Sequence, residues 1–198
     1  MGKPLQQIMR YIGQHGMVRP RDIEAIGLPR EYLIRLHRQG KLNRSGRGMY
    51  TLPDASVTER HSYAEVAKRV PEAVICLLSA LAFHEITTQS PASVWVALRQ
   101  GARRPVLTSP SLRIVRLSGP SLTEGIENHH VEAIPVRVSS AAKTVADCFK
   151  FRNKIGLDVA IEALKDCLRQ KKASVNEIYR YAKVCRVSNV IRPYMEAL

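Results

Sequence analysis

Leu5, Ile8, Met9 and Ile12 recur at i, i+3, i+4 and i+7, the stripe of an amphipathic helix, and Gly13 and Gly16 follow as breakers. The next segment, VRPRDIEAIGLP, puts Pro20 where a first helical turn accepts it. Ile23 and Ile26 form a short apolar face, and Gly27 closes the segment. A third helix is expected between Pro29 and Gly40. Taken at 100° per residue, Tyr32, Leu33 and Leu36 share one side, while Arg30, Ile34, Arg35 and Arg38 project from the other with Glu31 among them. Lys41 to Arg44 and Met49 to Leu52 then read as two short strands around Ser-Gly-Arg-Gly, with Leu42, Tyr50 and Leu52 on the inner face. Helix, short helix, turn, helix and hairpin within about fifty residues is the order of a winged helix-turn-helix.

After Pro53 the pattern changes. The stretch PDASVT reads as a linker, and TERHSYAEVAKRVP reads as a helix bridging into a second domain. Beyond it the pattern predicts a buried strand in AVICLL, a helix in SALAFHEI capped by Ser79, and strands in SVWVALR, LRIVRLS and VEAIPVRV, with Pro135 marking an edge or bulge. A helix capped by Ser139 or Ser140 is expected through Phe151. Another is expected on the stripe Leu157, Ile161, Leu164 and Leu168, and a third opens at the capping box Ser174-Val-Asn-Glu177. The fold class is α+β: an N-terminal winged helix-turn-helix, then a mixed α/β domain ending in a C-terminal helical segment. The expected divisions are 1–53, a linker and bridging helix over 54–72, and 73–198.

Composition adds a partner class. Thirty-one Lys and Arg against 17 Asp and Glu give a net charge of +14, and the pI is near 10.1. Such a balance favours a polyanion through long-range steering and counterion release. Residues 1–53 hold ten of the cations and three of the anions, a net of +7. Apolar residues make up 45% of the chain, enough for real cores. The N-terminal residues lack the apolar block of a signal peptide and no run is long enough to span a membrane, so a cytoplasmic location is expected. Cys76, Cys148, Cys167 and Cys185 are widely spaced and set among apolar neighbours, which reads as four small buried thiols.

The candidate chemistry is recognition of double-stranded DNA. Arg30, Ile34, Arg35 and Arg38 are placed to meet base edges, since Arg can bond guanine through two atoms and an aliphatic can touch a thymine methyl. Lys41, Arg44 and Arg47 are placed on the wing, near phosphates or the minor groove. Arg19 and Arg21 flank the start of the short helix, where phosphates often sit. For any one arginine a solvated surface is an equal reading; the set favours DNA because it lies on one side of a small module. No constellation for catalysis, metal or cofactor binding stands out, and no enzyme activity is expected. His129-His130 reads as an exposed loop, and His84-Glu85 lacks the second histidine of a zinc motif. Asp147, beside Cys148 and Lys150, reads as helix surface. The basic helices carrying Lys165, Arg169, Lys171, Lys172, Arg180, Lys183 and Arg186 read first as a solvated surface, with further DNA or an RNA as the alternative.

The run LIRLHRQGKLNRSGRGMYTLP resembles the AbiEi antitoxins of bacterial type IV toxin–antitoxin systems. Tyr32, Leu33, Arg35, Leu36, Arg38, Gly40, Leu42, Arg44, Arg47, Gly48 and Tyr50 fill the pattern YLxRLxRxGxLxRxxRGxY. VICLLSALAFHEITTQSPASVWVAL and SSAAKTVADCFKFRNKIGLDVAIEAL are similar to the family's C-terminal region. The resemblance implies an antitoxin that represses its own promoter from inverted repeats and counteracts a nucleotidyltransferase toxin encoded alongside, in systems associated with phage resistance. It identifies no toxin-neutralising residue and leaves direct contact with the toxin open. The alternative is a stand-alone winged-helix regulator whose C-terminal domain binds a ligand or dimerises. A nuclease-like centre in 74–140 is the least favoured reading, for want of a paired acidic-Lys motif on the strands.

Overall fold

The structure is a computed structural model that describes residues 2–45, 48–55, 58–87, 89–107 and 109–198. Helices and sheets are mixed throughout, and the chain divides into two compact units, Met1–Arg69 with His130–Pro135 and Val70–His129 with Val136–Leu198.

In the first unit α1 (Lys3–His15) is followed by β1 (Met17–Val18), α2 (Pro20–Glu24), α3 (Glu31–Arg38), β2 (Asn43–Ser45), β3 (Met49–Thr51) and α4 (His61–Arg69). Leu5, Ile8 and Ile12 of α1 are buried, as their spacing requires. The helix runs through Gly13, because one glycine costs only about 1 kcal/mol relative to Ala in a helix whose apolar face is packed. It stops at Gly16, whose φ is +67°. A Cβ there would collide with the carbonyl oxygen of Glu132, so the position needs glycine for space as well as for backbone angle. The strand β1, absent from the sequence expectation, pairs antiparallel with β3, which pairs antiparallel with β2. Val18, Ile23, Leu33, Leu36, Leu42 and Tyr50 join the α1 stripe in one core. Gly46 and Arg47, the expected tip of the β2–β3 hairpin, lie outside the described residues.

The second unit holds β4 (Val74–Ile75), α5 (Leu77–Phe83), β5 (Val94–Arg99), β6 (Leu112–Leu117), α6 (Pro120–Thr123), β7 (Ile126–Val131), β8 (Ile134–Ser139), α7 (Ala141–Lys150), α8 (Arg152–Ile155), α9 (Leu157–Arg169), α10 (Val175–Val184) and α11 (Ser188–Glu196). Residues 130–135, which comprise the end of β7, the turn and the start of β8, belong with the first unit. Strand order is β6-β5-β4-β8-β7. β4 runs antiparallel to β5 and parallel to β8, and β5 runs parallel to β6. Ala97, Val115 and Leu117 of the sheet share a core with α5, α7, α9, α10 and α11.

Several local expectations are corrected. AVICLL gives only a two-residue strand before α5 begins at Leu77. Ser79 is therefore inside the helix and caps nothing; its hydroxyl accepts the Trp95 N–H at 2.9 Å. VEAIPVRV is a turn plus one strand, since Glu132 and Ala133 both take positive φ between β7 and β8. His129 and His130 lie in β7 rather than in a loop. On α9 the buried face is Ala160, Ala163, Leu164 and Cys167, while Leu157 is 38% exposed. Of the expected stripe, Leu164 is buried and Ile161 and Leu168 pack partly buried against the same core, so only its first residue departs. Asp147 is buried, at 1% exposure, within an α7 whose residues Ala141–Phe149 are all buried. Ser140 does cap α7, accepting the Lys143 N–H, and the Ser174–Glu177 capping box forms. All four cysteines are free and buried.

Candidate nucleic-acid interface

The surface to consider is the outer side of α3. Leu33 and Leu36 are fully buried, which fixes the rotation of the helix about its axis. Glu31, Ile34, Arg35, Arg38 and Gln39 consequently line a shallow groove on the opposite side. Ile34 is 43% exposed, a large aliphatic side chain facing water. Arg35, His37 and Arg38 occupy the last turn, where cations complement the helix dipole. The corner after the helix is held by Gly40, at φ +69°, and by the His37 ring, whose Nδ1 lies 2.9 Å from the carbonyl oxygen of Leu42.

The other expected site residues fall in different situations. Lys41 and Arg44 are exposed, Lys41 just past α3 and Arg44 opposite Tyr50 in the β2–β3 ladder. Arg21 is exposed on α2. Arg30 precedes α3 as its capping residue and is drawn toward two carboxylates, with Nε 3.6 Å from Glu31 and 3.9 Å from Glu24. Arg19 is folded in: its side chain is only 16% exposed. Its backbone N–H donates to Asp22 at 2.8 Å, and burial together with Arg21 nearby lowers its pKa. Arg47 lies outside the described residues.

Asp22 is the functional-looking residue that sequence reasoning missed. It accepts the Arg19 N–H and pairs with Lys68 of α4 at 2.9 Å. Burial pushes its carboxyl upward, but the Arg19 N–H and the Lys68 ammonium outweigh that and hold it below the usual carboxylate range. A single acid at the third position of a short helix is the ordinary sign of a helix start; nothing in the sequence links it to Lys68. Glu132 plays a similar part, accepting the Thr58 N–H at 2.7 Å, the Thr58 hydroxyl at 3.0 Å and His61 at 2.7 Å at the start of α4. Both acids stabilise the unit rather than its outward surface.

Residues 6–53 match the family model described as transcriptional regulator, AbiEi antitoxin. That match runs from within α1 to just past β3 and takes in the residues of the sequence motif. Most of the chain is also similar in fold to the Rv2827c protein from Mycobacterium tuberculosis, a crystal structure. The TM-score is 0.60 at 13% identity, over 92% of this chain and 72% of that one. No curated protein matches the sequence. The matched AbiEi segment contains every exposed cation of the α3 surface, so the groove and the match coincide.

In the second unit the ionisable groups are arranged differently. The Lys143 ammonium lies 2.6 Å from both carboxylate oxygens of Asp147, and the Cys185 thiol donates to the same carboxylate at 3.3 Å. Burial and the Asp147 charge push Cys185 up to about 12, which keeps it a thiol and a poor nucleophile. Among the described residues no group of three or more His, Cys, Asp or Glu side chains is placed to hold a metal, and no helix is long and apolar enough to cross a membrane.

Proposed function

We propose that this chain is a DNA-binding transcriptional regulator of the AbiEi antitoxin type, in which the first unit works as a winged helix-turn-helix. In this reading α3 enters the major groove, the β2–β3 wing lies along the backbone, and the chain represses its own promoter from inverted repeats. The second unit counteracts a nucleotidyltransferase toxin encoded alongside. The observation that carries the DNA-binding part is the division of α3: two leucines fully buried on one side, and Ile34, Arg35 and Arg38 lining a groove on the other. Such a face offers two guanidinium forks and a methyl contact within two helical turns, which suits base edges. Its basic surroundings supply phosphate attraction that weakens with salt.

The test is a fluorescence-anisotropy titration of the full chain against the DNA upstream of its own gene, with scrambled DNA as competitor. Arg35→Ala and Arg38→Ala should each weaken operator binding by about 1–3 kcal/mol, or roughly 5- to 150-fold. Variants that bind the operator like the wild type would remove α3 as the reading surface. Suppression of toxicity by residues of the second unit, in cells expressing the neighbouring toxin gene, tests the antitoxin part.

One observation favours the stand-alone regulator as a second reading. A polar cleft in the second unit is lined by His84, Glu127, Lys172, Glu177, Arg180 and Tyr181, the mixture of charges a small polar ligand needs. A nucleotidyltransferase gene adjoining this one supports the antitoxin; its absence supports the regulator.

A further inference from the structure

We infer that Glu31 is a specificity-determining residue of the α3 surface, accepting a hydrogen bond from the N4 amino group of a cytosine. The inference deepens the DNA-binding reading above and rests on it. Glu31 is the first residue of α3, the end of a recognition helix that comes nearest to base edges. It shares the groove with Ile34, Arg35 and Arg38 and is the only carboxylate lining it among the described residues. Its side chain is 71% exposed.

A carboxylate in that place opposes general DNA affinity, because it repels every phosphate that approaches. Two other reasons for an acid here make different demands. The first is an ion pair with Arg30, which is long at 3.6 Å and solvated on both sides. Exposed pairs of that kind contribute little, and Arg30 also has Glu24 within reach. The second is the helix dipole, which favours an acid in the first turn, the more so because Arg30 makes no side-chain cap. That role concerns folding and is indifferent to the base sequence. Base reading is the role that uses the groove position, the exposure and the acidity together. An acidic side chain accepts from cytosine N4 and is repelled by the acceptor edge of guanine, so it discriminates in both directions.

The experiment uses the full chain as wild type, Glu31→Ala and Glu31→Gln. Each is titrated with the upstream DNA and with scrambled DNA of equal length at several salt concentrations. A selection from a half-site randomised one position at a time accompanies the titrations. For Glu31→Ala, scrambled DNA should bind several-fold more tightly while operator binding does not improve. The ratio should fall about 10-fold or more, with cytosine preference lost at one position and the other positions unchanged. Glu31→Gln should move the preference at that position toward adenine, which Gln bonds through N6 and N7. Unchanged thermal unfolding in both variants separates base reading from the dipole role. If both DNAs gain affinity by the same factor and the selected sequence stays as in the wild type, Glu31 only repels phosphates and the inference is overturned. If the wild type shows no preference for upstream DNA, the DNA-binding reading falls and takes this one with it; a wild-type preference lost in Arg35→Ala but kept in Glu31→Ala overturns this one alone.

Discussion

The charges at the start of α3, in the first unit, and those inside α7, in the second, are used differently. Just before α3 of the first unit, Arg30 stands 3.6 Å from Glu31 and 3.9 Å from Glu24, and all three side chains are at least half exposed. On α7 of the second unit, Lys143 and Asp147 sit one turn apart at 0% and 1% exposure, with both carboxylate oxygens 2.6 Å from the ammonium. Water competes for every partner in the first set, so the charges can be exchanged for phosphates or bases at small cost. In the second set each charge has lost its water and is held by the other. Burial alone acts to lower the Lys143 pKa, yet the adjoining Asp147 carboxylate outweighs it and the net shift is upward. The start of α3 keeps its charges available, whereas α7 has turned a pair of them into part of its core.

The sharpest way to break this contrast is to remove half of the buried pair. Asp147→Ala leaves the Lys143 ammonium without its counter-charge in a helix buried on every side, and should cost about 3–5 kcal/mol in urea unfolding. The double variant Lys143→Met with Asp147→Leu should recover most of that loss, since an apolar pair of similar volume avoids the desolvation of two ions. An Asp147→Ala protein that unfolds within 1 kcal/mol of the wild type would mean the pair is solvated and the comparison is wrong.

The same contrast governs what the sequence reveals. The α3 surface was legible because apolar and charged positions separate cleanly at helical spacing: Leu33 and Leu36 bury, and Ile34, Arg35 and Arg38 do not. Glycine and capping signals were equally direct, at Gly40 and at Ser174 with Glu177. Asp147 was misread because a charge in a helix ordinarily marks the surface, and its partner at i+4 spacing suits an exposed pair as well as a buried one. Ser79 was misread for a related reason. A serine before an apolar run looks like a cap, and the amide it serves is Trp95, sixteen residues away. The β7–β8 turn gave no signal because Glu132 and Ala133, rather than Gly or Asn, adopt its positive φ angles. On α9 the stripe found Leu164, Ile161 and Leu168 but not the small buried Ala160 and Ala163, because small residues carry little apolar signal of their own. Local periodicity finds surfaces; satisfied polar groups inside a core are tertiary facts.

Ser79 supplies an intermediate case between these two sets of charges. It is fully buried but neutral, and its hydroxyl accepts the Trp95 N–H. Ser79→Ala leaves that amide unbonded, and should cost about 1–3 kcal/mol, less than the loss of Asp147 because no net charge is stranded. A larger loss than that of Asp147→Ala would show that geometry, rather than charge, sets the order.

At the small end stands Arg30. Its side chain is 63% exposed and shares two distant carboxylates, and it makes no side-chain cap to α3. Arg30→Ala should therefore change unfolding free energy by no more than about 0.5 kcal/mol, the range of ordinary surface substitutions. Its effect on DNA carries the more useful information. If Arg30 binds a phosphate, its removal lowers affinity for operator and scrambled DNA alike and reduces the dependence on salt by about one counterion. If instead it serves to hold Glu31, the loss appears as altered sequence preference with the salt dependence unchanged. The two outcomes divide cleanly because a phosphate contact reads no base, whereas a carboxylate freed from its neighbour changes which base it meets. Stability that moves by several kcal/mol would contradict both, and would place Arg30 with the buried pair it is contrasted with here.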